Sequence, residues 1–369
     1  MATPTTFLSP TSTTTAPTES CTTAVPDKYG YVPFDACNSN YLAPPHFAAN
    51  LAFTVLFGTT MLAHIVEAFA FRMAFCWVLI MGGAWETVAF TLKTLGSHNQ
   101  QVETYALLGQ LLFLLSPLWI NAFIYMVGAR MVYFGLPDKK IWGIPAIKLT
   151  VIFVWLDITC FIVQLAGGSM LSSSDRKLAD IGMKIYTTGV SLQLGFVVIF
   201  IVMMGCFYRL MYKTTHGNIG RLRFLIWAVL AVLGLIVVRV VFRLIEFGSG
   251  FNENNVLITD ETYPLVLDAF PMVTAFVILN VIHPGFVLQG PNSNFPHISR
   301  KQKKERKRRL KEDKRMKKEE RKYGRKYHRV TESDSFALVD SSGHRRDPSF
   351  TDEEAGLPIP HPPYPPRRS

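Results

Sequence analysis

Long apolar stretches alternate with short polar connections through the middle of the chain, and both ends are polar. A helix needs about 20 consecutive apolar residues to cross the roughly 30 Å hydrocarbon core of a bilayer. Seven stretches meet this requirement: 47–68, 73–93, 105–129, 147–170, 183–208, 224–246 and 264–288. The period-two alternation of a membrane β-barrel is missing. The pattern predicts an all-α membrane protein, a bundle of seven transmembrane helices.

Basic residues in the polar connections predict how the bundle is inserted. With the N-terminus outside, the inner connections hold nine Lys or Arg and the outer ones hold five. Since positive residues stay on the cytoplasmic side, the sequence predicts an outer N-terminus and a cytoplasmic C-terminus. No apolar signal-peptide core precedes the first span, so that span is expected to act as the insertion signal.

The two polar ends are predicted to be disordered tails around a membrane domain at 47–289. Residues 1–46 form an extracellular tail rich in Ser, Thr and Pro. This composition is typical of an O-glycosylated stalk, and a simple flexible terminus is the alternative. Cys21 and Cys37 would face an oxidising compartment, where they either pair or stay free. Residues 290–369 form the cytoplasmic tail.

The positive charge of the chain is concentrated in the C-terminal tail. The net charge is +11, and residues 300–329 alone hold 18 Lys or Arg against five Asp or Glu. Such an excess beside the last span is attracted to anionic lipids of the inner leaflet. The alternative is that it only fixes topology. We expect no nucleic-acid partner, because the segment is tethered beside a membrane.

Ionisable and amide side chains interrupt the apolar spans at similar depths. A charge inside a bilayer is costly unless it faces a partner or a cavity, so each such residue is a candidate for a binding site. At a rise of about 1.5 Å per residue, nine of them from six spans fall between the midplane and the outer surface. These predicted ligand-binding residues are Glu86, Gln110, Asp157, Gln164, Gln193, Arg239, Arg243, Glu246 and Asp268.

Helical spacing groups several of these candidates on common faces. Asp157 and Gln164 are seven residues apart, which places them on one face of the fourth span. Arg239, Arg243 and Glu246 follow the spacing i, i+4 and i+7 on the sixth span. The candidates are therefore expected to converge on one polar pocket.

The charges of the nine candidates suggest two different roles. Four carboxylates against two guanidinium groups give a net-negative pocket, which suits a cationic headgroup such as the amine of a lipid base. Alternatively, Arg239 and Arg243 only neutralise Glu246 and Asp268 and hold the sixth and seventh spans together.

Motifs of common membrane enzymes, pumps and receptors are missing from the sequence. It contains no G-x-x-x-x-G-K-[ST] loop, no H-x-x-x-H or H-E-x-x-H pair and no G-x-S-x-G elbow. These absences argue against an ATP-driven pump, a zinc hydrolase and a serine hydrolase. The seventh span lacks the lysine that a retinal Schiff base requires. We expect no catalytic residues, no bound metal and no cofactor.

Short motifs follow one another in a distinctive order along the chain. They are YGYVP, SPLWINAFIY, DITCFIVQLAGG, GVSLQ, RVVFRLIEFGSG, DAFPM and NVIHPG, together with Asn50, Glu86 and Glu261. From about Tyr29 to Leu288 the chain resembles the fungal RTA-like family of lipid-translocating exporters, which is linked to resistance against aminocholesterol and sphingoid long-chain bases. It departs from the family after Glu86, where Ala89, Phe90 and Lys93 replace the usual Gly, Tyr and Arg.

The resemblance implies a membrane protein that handles amphipathic lipids, in the plasma membrane or alternatively an endomembrane. We expect it to bind sphingoid bases, sterol-like molecules or toxic amphiphiles and to move them out of the inner leaflet, which confers resistance. Two alternatives stay open: a seven-span sensor that signals through its tail, and a self-resistance exporter of a secondary metabolite. None of the three is an enzyme, and the sequence does not set the oligomeric state.

Overall fold

Seven long apolar helices make up the membrane domain. The structure, a computed structural model, describes residues 22–33, 36, 38–41, 43–171, 176–248 and 255–288, and in the C-terminal tail residues 305, 308–316 and 318–319. Seven helices in the described part are long and apolar enough to cross a membrane. The predicted all-α seven-span fold is confirmed, and the direction of insertion stays a prediction.

The helices begin and end close to the predicted spans. They are α1, Phe47–Phe71; α2, Trp77–Gly96; α3, Glu103–Gly135; α4, Ala146–Leu171; α5, Arg176–Thr214; α6, Leu222–Gly248; and α7, Thr262–Phe286. A 3-10 turn at Ala74–Cys76 precedes α2, and a four-residue helical turn at Val256–Thr259 precedes α7.

Two helices are clearly longer than their predicted spans. α3 has 33 residues and α5 has 39. At about 1.5 Å per residue they measure roughly 50 and 58 Å, against a hydrocarbon core of roughly 30 Å. Hydropathy identifies only the apolar part of each helix. The polar ends of α3 and α5 continue the same helix beyond that part.

α7 changes its helical type along its length. It begins as Thr262–Pro264, widens into a π-helical turn at Leu265–Ala269, and continues as an α-helix over Phe270–Val281. Pro271 is the second residue after the wide turn, and its ring nitrogen has no hydrogen to donate to the preceding turn. Asp268, one of the predicted site residues, therefore lies inside the π-helical turn.

A β-hairpin connects α3 to α4. Strands β1, Lys140–Ile141, and β2, Ile144–Pro145, pair in antiparallel register. Trp142 and Gly143 between them both have positive φ, 51° and 75°. Positive φ at both central residues is the signature of a type I′ turn, whose twist matches that of the strands.

The helices form a closed ring with α3 reaching across it. Each helix packs on its neighbours in sequence, α1 also packs on α7, and α3 contacts α6. Aromatic rings pack on both sides of α3. Phe57 packs against Phe90 and Phe276 between α1, α2 and α7, with ring centroids 5.5 and 5.9 Å away. Tyr125 and Phe200 meet at 4.7 Å between α3 and α5.

The outer surface of the bundle is apolar. Large apolar side chains are exposed on all seven helices, including Phe69 at 79% and Val281 at 72%. Exposed apolar surface of this extent is expected where lipid chains replace water. Inside, α4 and α5 approach so closely that a Cβ at Gly167 would lie 2.7 Å from the carbonyl oxygen of Gly182.

Part of the predicted extracellular tail is folded over the α2–α3 loop. The backbone N–H of Gln100 donates to the carbonyl oxygen of Tyr29 (3.0 Å). The side-chain amide of Gln101 donates to the carbonyl oxygen of Gly30 (2.7 Å). Asn40 donates to the carbonyl oxygen of Gln100 at 3.1 Å. The segment thus covers one end of the bundle. Cys21 and Cys37 lie outside the described residues.

Glu261 ties the start of α1 to the loop before α7. Its carboxylate accepts hydrogen bonds from the backbone N–H of His46 (2.6 Å) and the side chain of Asn50 (2.9 Å). A carboxylate also stabilises the positive end of the helix dipole there. Burial and the Glu261 charge together raise the pKa of the nearby Tyr41 phenol to about 12.

The described part of the C-terminal tail is helical and exposed. Two pairs spaced i, i+4 lie along it, Arg309 with Glu305 at 2.8 Å and Arg308 with Glu312 at 3.5 Å. Exposed pairs of this kind contribute only a few tenths of a kcal/mol each, about 0.3–0.5.

Candidate functional site

A cavity of about 780 Å³ lies between α3, α4, α5 and α6. Its walls are largely apolar, and α3 contributes four leucines spaced i, i+4, i+7 and i+11: Leu107, Leu111, Leu114 and Leu118. This spacing places them on one helical face. Ser39 and Asn40 of the folded N-terminal segment line the cavity as well, so it lies toward the end of the bundle that this segment covers.

Five of the nine predicted site residues line this cavity. They come from four different helices: Gln110, Gln164, Gln193, Arg239 and Arg243. The Gln164 side-chain amide donates to the carbonyl oxygen of the Gln193 side chain at 2.9 Å, which links α4 to α5 across the wall. The expected convergence of polar residues from several spans is thus found for these five.

The four predicted carboxylates lie outside the cavity lining. Glu86, Asp157, Glu246 and Asp268 are all buried, with at most 5% of each residue exposed. Each one lies behind the wall, within the helix packing. The inner layer facing the cavity therefore carries amides and guanidinium groups, and the carboxylates form a second layer.

Asp157 is held by two side chains of α3. Its Oδ2 accepts hydrogen bonds from the Asn121 amide (2.9 Å) and the Tyr125 hydroxyl (3.1 Å). Asn121 itself lines the cavity. The carboxylate therefore fixes the orientation of an amide on the cavity wall. Tyr125 escaped the sequence analysis because a tyrosine in an apolar span is usually core, although its i+4 spacing from Asn121 is a usable signal.

Asp268 joins two arginines of α6 to α7. The Arg239 Nε lies 2.7 Å from Asp268 Oδ1, and the Arg243 Nε donates to Asp268 Oδ2 at 2.7 Å. The Arg243 Nη1 also donates to Glu246 Oε2 at 2.9 Å. The spacing i, i+4, i+7 on α6 presents all three residues to the wide turn of α7. Both arginines thus neutralise carboxylates and face the cavity at the same time.

Glu86 is fully buried on α2 beside this cluster. It lies beside Ser116, and Arg239, Asp268 and Lys93 are the charged groups that act on it. Lys93, one of the departures from the family pattern, lies with Nζ 4.3 Å from the ring centroid of Phe113. Counting Glu86 and Lys93 with the four α6–α7 charges, the cluster is neutral when every group is ionised.

This seven-helix chain is similar in sequence to known proteins. A family model described as "RTA1 like protein" matches residues 79–291. The chain belongs to the RTA1-like family. No solved structure matches the chain.

Three relatives of this RTA1-like chain are fungal proteins. "Probable lipid transporter atnI" of Emericella nidulans is 39% identical over 308 residues, which cover 79% of this chain and 80% of that one. "Protein RTA1" of Saccharomyces cerevisiae is 25% identical over 66% of this chain and 84% of its own. "Sphingoid long-chain base transporter RSB1" of Saccharomyces cerevisiae is 23% identical over 71% of this chain and 78% of its own.

A second polar cluster of this RTA1-like protein lies at the opposite end of the bundle. Its ligand-type atoms, from His64, Glu67 and His283, lie within 4.8 Å of one another. The His64 Nδ1 is 3.1 Å from Glu67 Oε2, and its Nε2 is 3.2 Å from the carbonyl oxygen of Phe276.

The hydrogen bonds of this second cluster argue against a metal centre. The backbone N–H of Gly285 donates to His283 Nδ1 at 3.1 Å, so the proton of the neutral ring lies on Nε2. That nitrogen is the one facing Glu67, at 4.0 Å. A metal ion requires it bare, so binding would have to break the Gly285 bond. The side chains fit a hydrogen-bonded cluster better than a metal site.

Proposed function

We propose that this protein is a lipid exporter whose cavity binds an amphipathic lipid and promotes its movement from the inner to the outer leaflet. The candidate substrates are sphingoid bases, sterol-like molecules and toxic amphiphiles, and export of such molecules confers resistance to them. The names of the relatives atnI and RSB1 support a lipid as cargo. Transport of a lipid needs no catalysis, so we propose that the protein is not an enzyme.

The observation that carries this proposal is the cavity itself. Ligand sites for small molecules typically have volumes of roughly 300–1,000 Å³, apolar walls and a few convergent polar groups. A cavity of about 780 Å³ with four leucines on one wall and five polar side chains from four helices fits that description. An amphipathic molecule matches both kinds of surface.

The residues divide into two proposed roles. Gln110, Gln164 and Gln193 contact the polar end of the lipid together with the two arginines of the wall. The second layer positions them, since Asp157 orients Asn121 on the wall and Asp268 holds both arginines. Glu86 and Glu246 complete this layer and keep its charges balanced.

Reconstituted vesicles test the proposal directly. Purified protein is placed in vesicles containing a fluorescent long-chain lipid, and quenching by external dithionite measures protein-dependent flip. Leu114→Trp fills the cavity from its apolar wall and should abolish most of the flip. Ile162→Trp is the matched control, since Ile162 is 60% exposed on α4 and does not line the cavity.

The same assay separates the alternatives. Lipid binding without any protein-dependent flip would favour the sensor, and flip restricted to one secondary metabolite would favour a self-resistance exporter. If the Leu114→Trp protein retains full flip, the cavity is not the transport site.

Two further proposals concern the surroundings of the bundle. We place the protein in the plasma membrane, with an endomembrane as the alternative, and residues 300–329 against anionic lipids of the inner leaflet. Trypsin should cleave this segment more slowly when the full-length protein sits in nanodiscs with phosphatidylserine than in nanodiscs with phosphatidylcholine alone. Equal cleavage rates would contradict the lipid contact.

A further inference from the structure

We infer that the C-terminal end of α5 binds the headgroup of an anionic phospholipid of the surrounding bilayer, at a site separate from the cavity. A shallow hollow of about 590 Å³ lies against this end of the helix. Two cationic, two phenolic and two small or apolar side chains of the described residues line it: Arg209, Lys213, Tyr208, Tyr212, Cys206 and Leu210. Charged and aromatic groups therefore face one space.

The hollow lies at the depth where lipid headgroups are expected. Hydropathy ends the fifth apolar span at residue 208, so Arg209 and Lys213 follow just beyond the apolar part of α5. Tyrosine and tryptophan are enriched at this boundary, because their rings are apolar and their polar atoms reach the headgroups. The α5–α6 turn and the tail after α7 lie at the same end of the bundle, which is the predicted cytoplasmic end.

The positive charge of this region has no acidic counterpart along the two helices. No Asp or Glu occurs between Asp180 and Glu246. Arg209 and Lys213 are exposed, and neither forms an ion pair with a residue in the part of the chain that the structure describes. Their i, i+4 spacing places them on one helical face, where both can act on one anion. The anionic lipids of the cytoplasmic leaflet supply such anions.

Aromatic rings extend the hollow from α5 toward α6. The ring centroid of Tyr208 lies 5.8 Å from that of Trp227 and 6.4 Å from that of Tyr212. Tyr212 and Trp227 are 56% and 58% exposed, so their rings present apolar surface to a lipid. Neither tyrosine hydroxyl donates a hydrogen bond to a described residue, and both are available to a phosphate oxygen.

Membrane topology alone explains only part of this arrangement. Positive residues at the cytoplasmic end are expected in any multi-span protein. That rule concerns the number of charges, and it does not require cations and phenols to line one hollow. A phosphate group does benefit from this grouping, since the arginine fork matches its oxygens and lysine adds a point charge.

The site does not depend on the proposed function. Gln193 is the cavity-lining residue of α5 nearest to this end, and Arg209 follows it by sixteen residues. At about 1.5 Å per residue, the two positions are about 24 Å apart along the helix axis. Substitutions in the hollow should therefore leave lipid flip through the cavity unchanged.

Two lysine variants of α5 test the inference. Full-length protein in detergent is titrated with fluorescent phosphatidylserine and with phosphatidylcholine of the same chains and fluorophore. Lys213→Gln should weaken phosphatidylserine binding about fivefold, the value expected for one basic residue near an anionic lipid surface. Lys184→Gln is the matched control, because Lys184 is an exposed lysine near the other end of α5, and it should change nothing. Both variants keep residues 300–329, so the contribution of the tail is the same in each.

Further probes separate the rings from the charges. Tyr212→Phe removes a hydroxyl and keeps the ring, so it should weaken phosphatidylserine binding less than Tyr212→Ala does. Soluble glycerophosphoserine, which carries the headgroup without the chains, should displace the fluorescent lipid only at far higher concentration than unlabelled phosphatidylserine.

Each outcome decides the question. Weaker phosphatidylserine binding in Lys213→Gln but not in Lys184→Gln supports the site. Equal binding of the two lipids, or equal effects of the two lysine variants, overturns it and leaves these charges with topology alone. Displacement by glycerophosphoserine and by phosphatidylserine at equal concentrations overturns the lipid as the occupant.

Discussion

Around α6, four charged side chains pair with one another beside an open cavity, whereas at the far end of α1 a carboxylate and two histidines lie among aromatic rings. In the first region Arg239 and Arg243 line the cavity while they contact Asp268. In the second, both nitrogens of His64 face an acceptor, and His283 stacks on Phe71 with ring centroids 5.1 Å apart. Depth in the membrane is therefore a weaker guide to a ligand site than contact with a cavity, since Arg239 and Arg243 line one and His64 is not among its lining residues.

Removing the carboxylate shared by both arginines should produce the largest effect. Asp268→Asn leaves two buried guanidinium groups with Glu246 as their remaining close anion, so the free energy of unfolding should fall by about 3–5 kcal/mol. Thermal unfolding in detergent measures the change. The control is Asp260→Asn, which keeps an acceptor for the Thr262 N–H. Wild-type stability in the Asp268 variant would show that the pairing contributes little.

Asp157→Asn should cause the next largest loss of stability, and it should also lower the affinity of the cavity for lipid. The variant weakens two hydrogen bonds to a charged acceptor, each worth about 1.5–3 kcal/mol, and releases Asn121 on the wall. Stability should fall less than for Asp268→Asn, and lipid affinity should fall with it. Tyr125→Phe removes one of the two bonds, so half the stability loss is expected. Full lipid affinity in Asp157→Asn would make the carboxylate structural only.

In the histidine region, a substitution should lower stability without changing lipid binding. His64→Leu removes the contacts to Glu67 and to the Phe276 carbonyl, so stability should fall by about 1–2 kcal/mol. Lipid affinity should stay unchanged, because His64 is remote from the cavity. A loss of affinity at normal stability would mean that the two regions are coupled.

A small effect of pH is expected at the end of the bundle where Tyr41 lies. Burial and the Glu261 charge raise the pKa of Tyr41 from 10.0 to about 12, so the folded state favours the neutral phenol. The resulting stability is complete below about pH 10 and is lost as the pH rises toward 12. Unfolding of the wild type should therefore depend on pH in this window more steeply than unfolding of Tyr41→Phe. Identical slopes would show that the pKa of Tyr41 is the same in the folded and the unfolded state.

Metal ions should have no effect at all. A metal bound to the folded state at 100 times its dissociation constant would add about 2.7 kcal/mol of stability. Because His283 carries its proton on the nitrogen facing Glu67, neither added Zn²⁺ nor EDTA should shift the melting temperature. A rise with Zn²⁺ that disappears in His283→Ala would establish a metal site.

The sequence was a good guide to the helices and a partial one to the site. Hydropathy located every span, since it reports the apolar length that the bilayer requires. It missed the Lys140–Pro145 hairpin, whose turn places Trp142 at positive φ, a conformation with no strong signal in that residue type. It also placed all of 1–46 in a disordered tail, whereas residues near Tyr29 and Asn40 contact the α2–α3 loop.

For the site, helical spacing identified faces but not what each face meets. Gln164 and Asp157 share a face in the sequence, yet the first lines the cavity and the second lies behind Asn121. A few tens of degrees of helix rotation decide between these positions, and rotation depends on packing with neighbouring helices. The arginines pair with carboxylates, as one interpretation expected, and they line the cavity as well, whereas the four carboxylates of the expected net-negative pocket lie outside the lining.

The wide turn of α7 makes this helix more sensitive to changes in length than to changes in side chain. A π-helical turn holds one residue more than the α-helical turn it replaces, and each residue of an α-helix advances by about 100°. Deleting one residue of Leu265–Ala269 would turn one part of the span against the other by that angle. Asp268 is tied to α6 and Glu261 to α1, so one of the two would lose its partner. Descendants of this sequence should accumulate substitutions in that stretch while keeping its residue count.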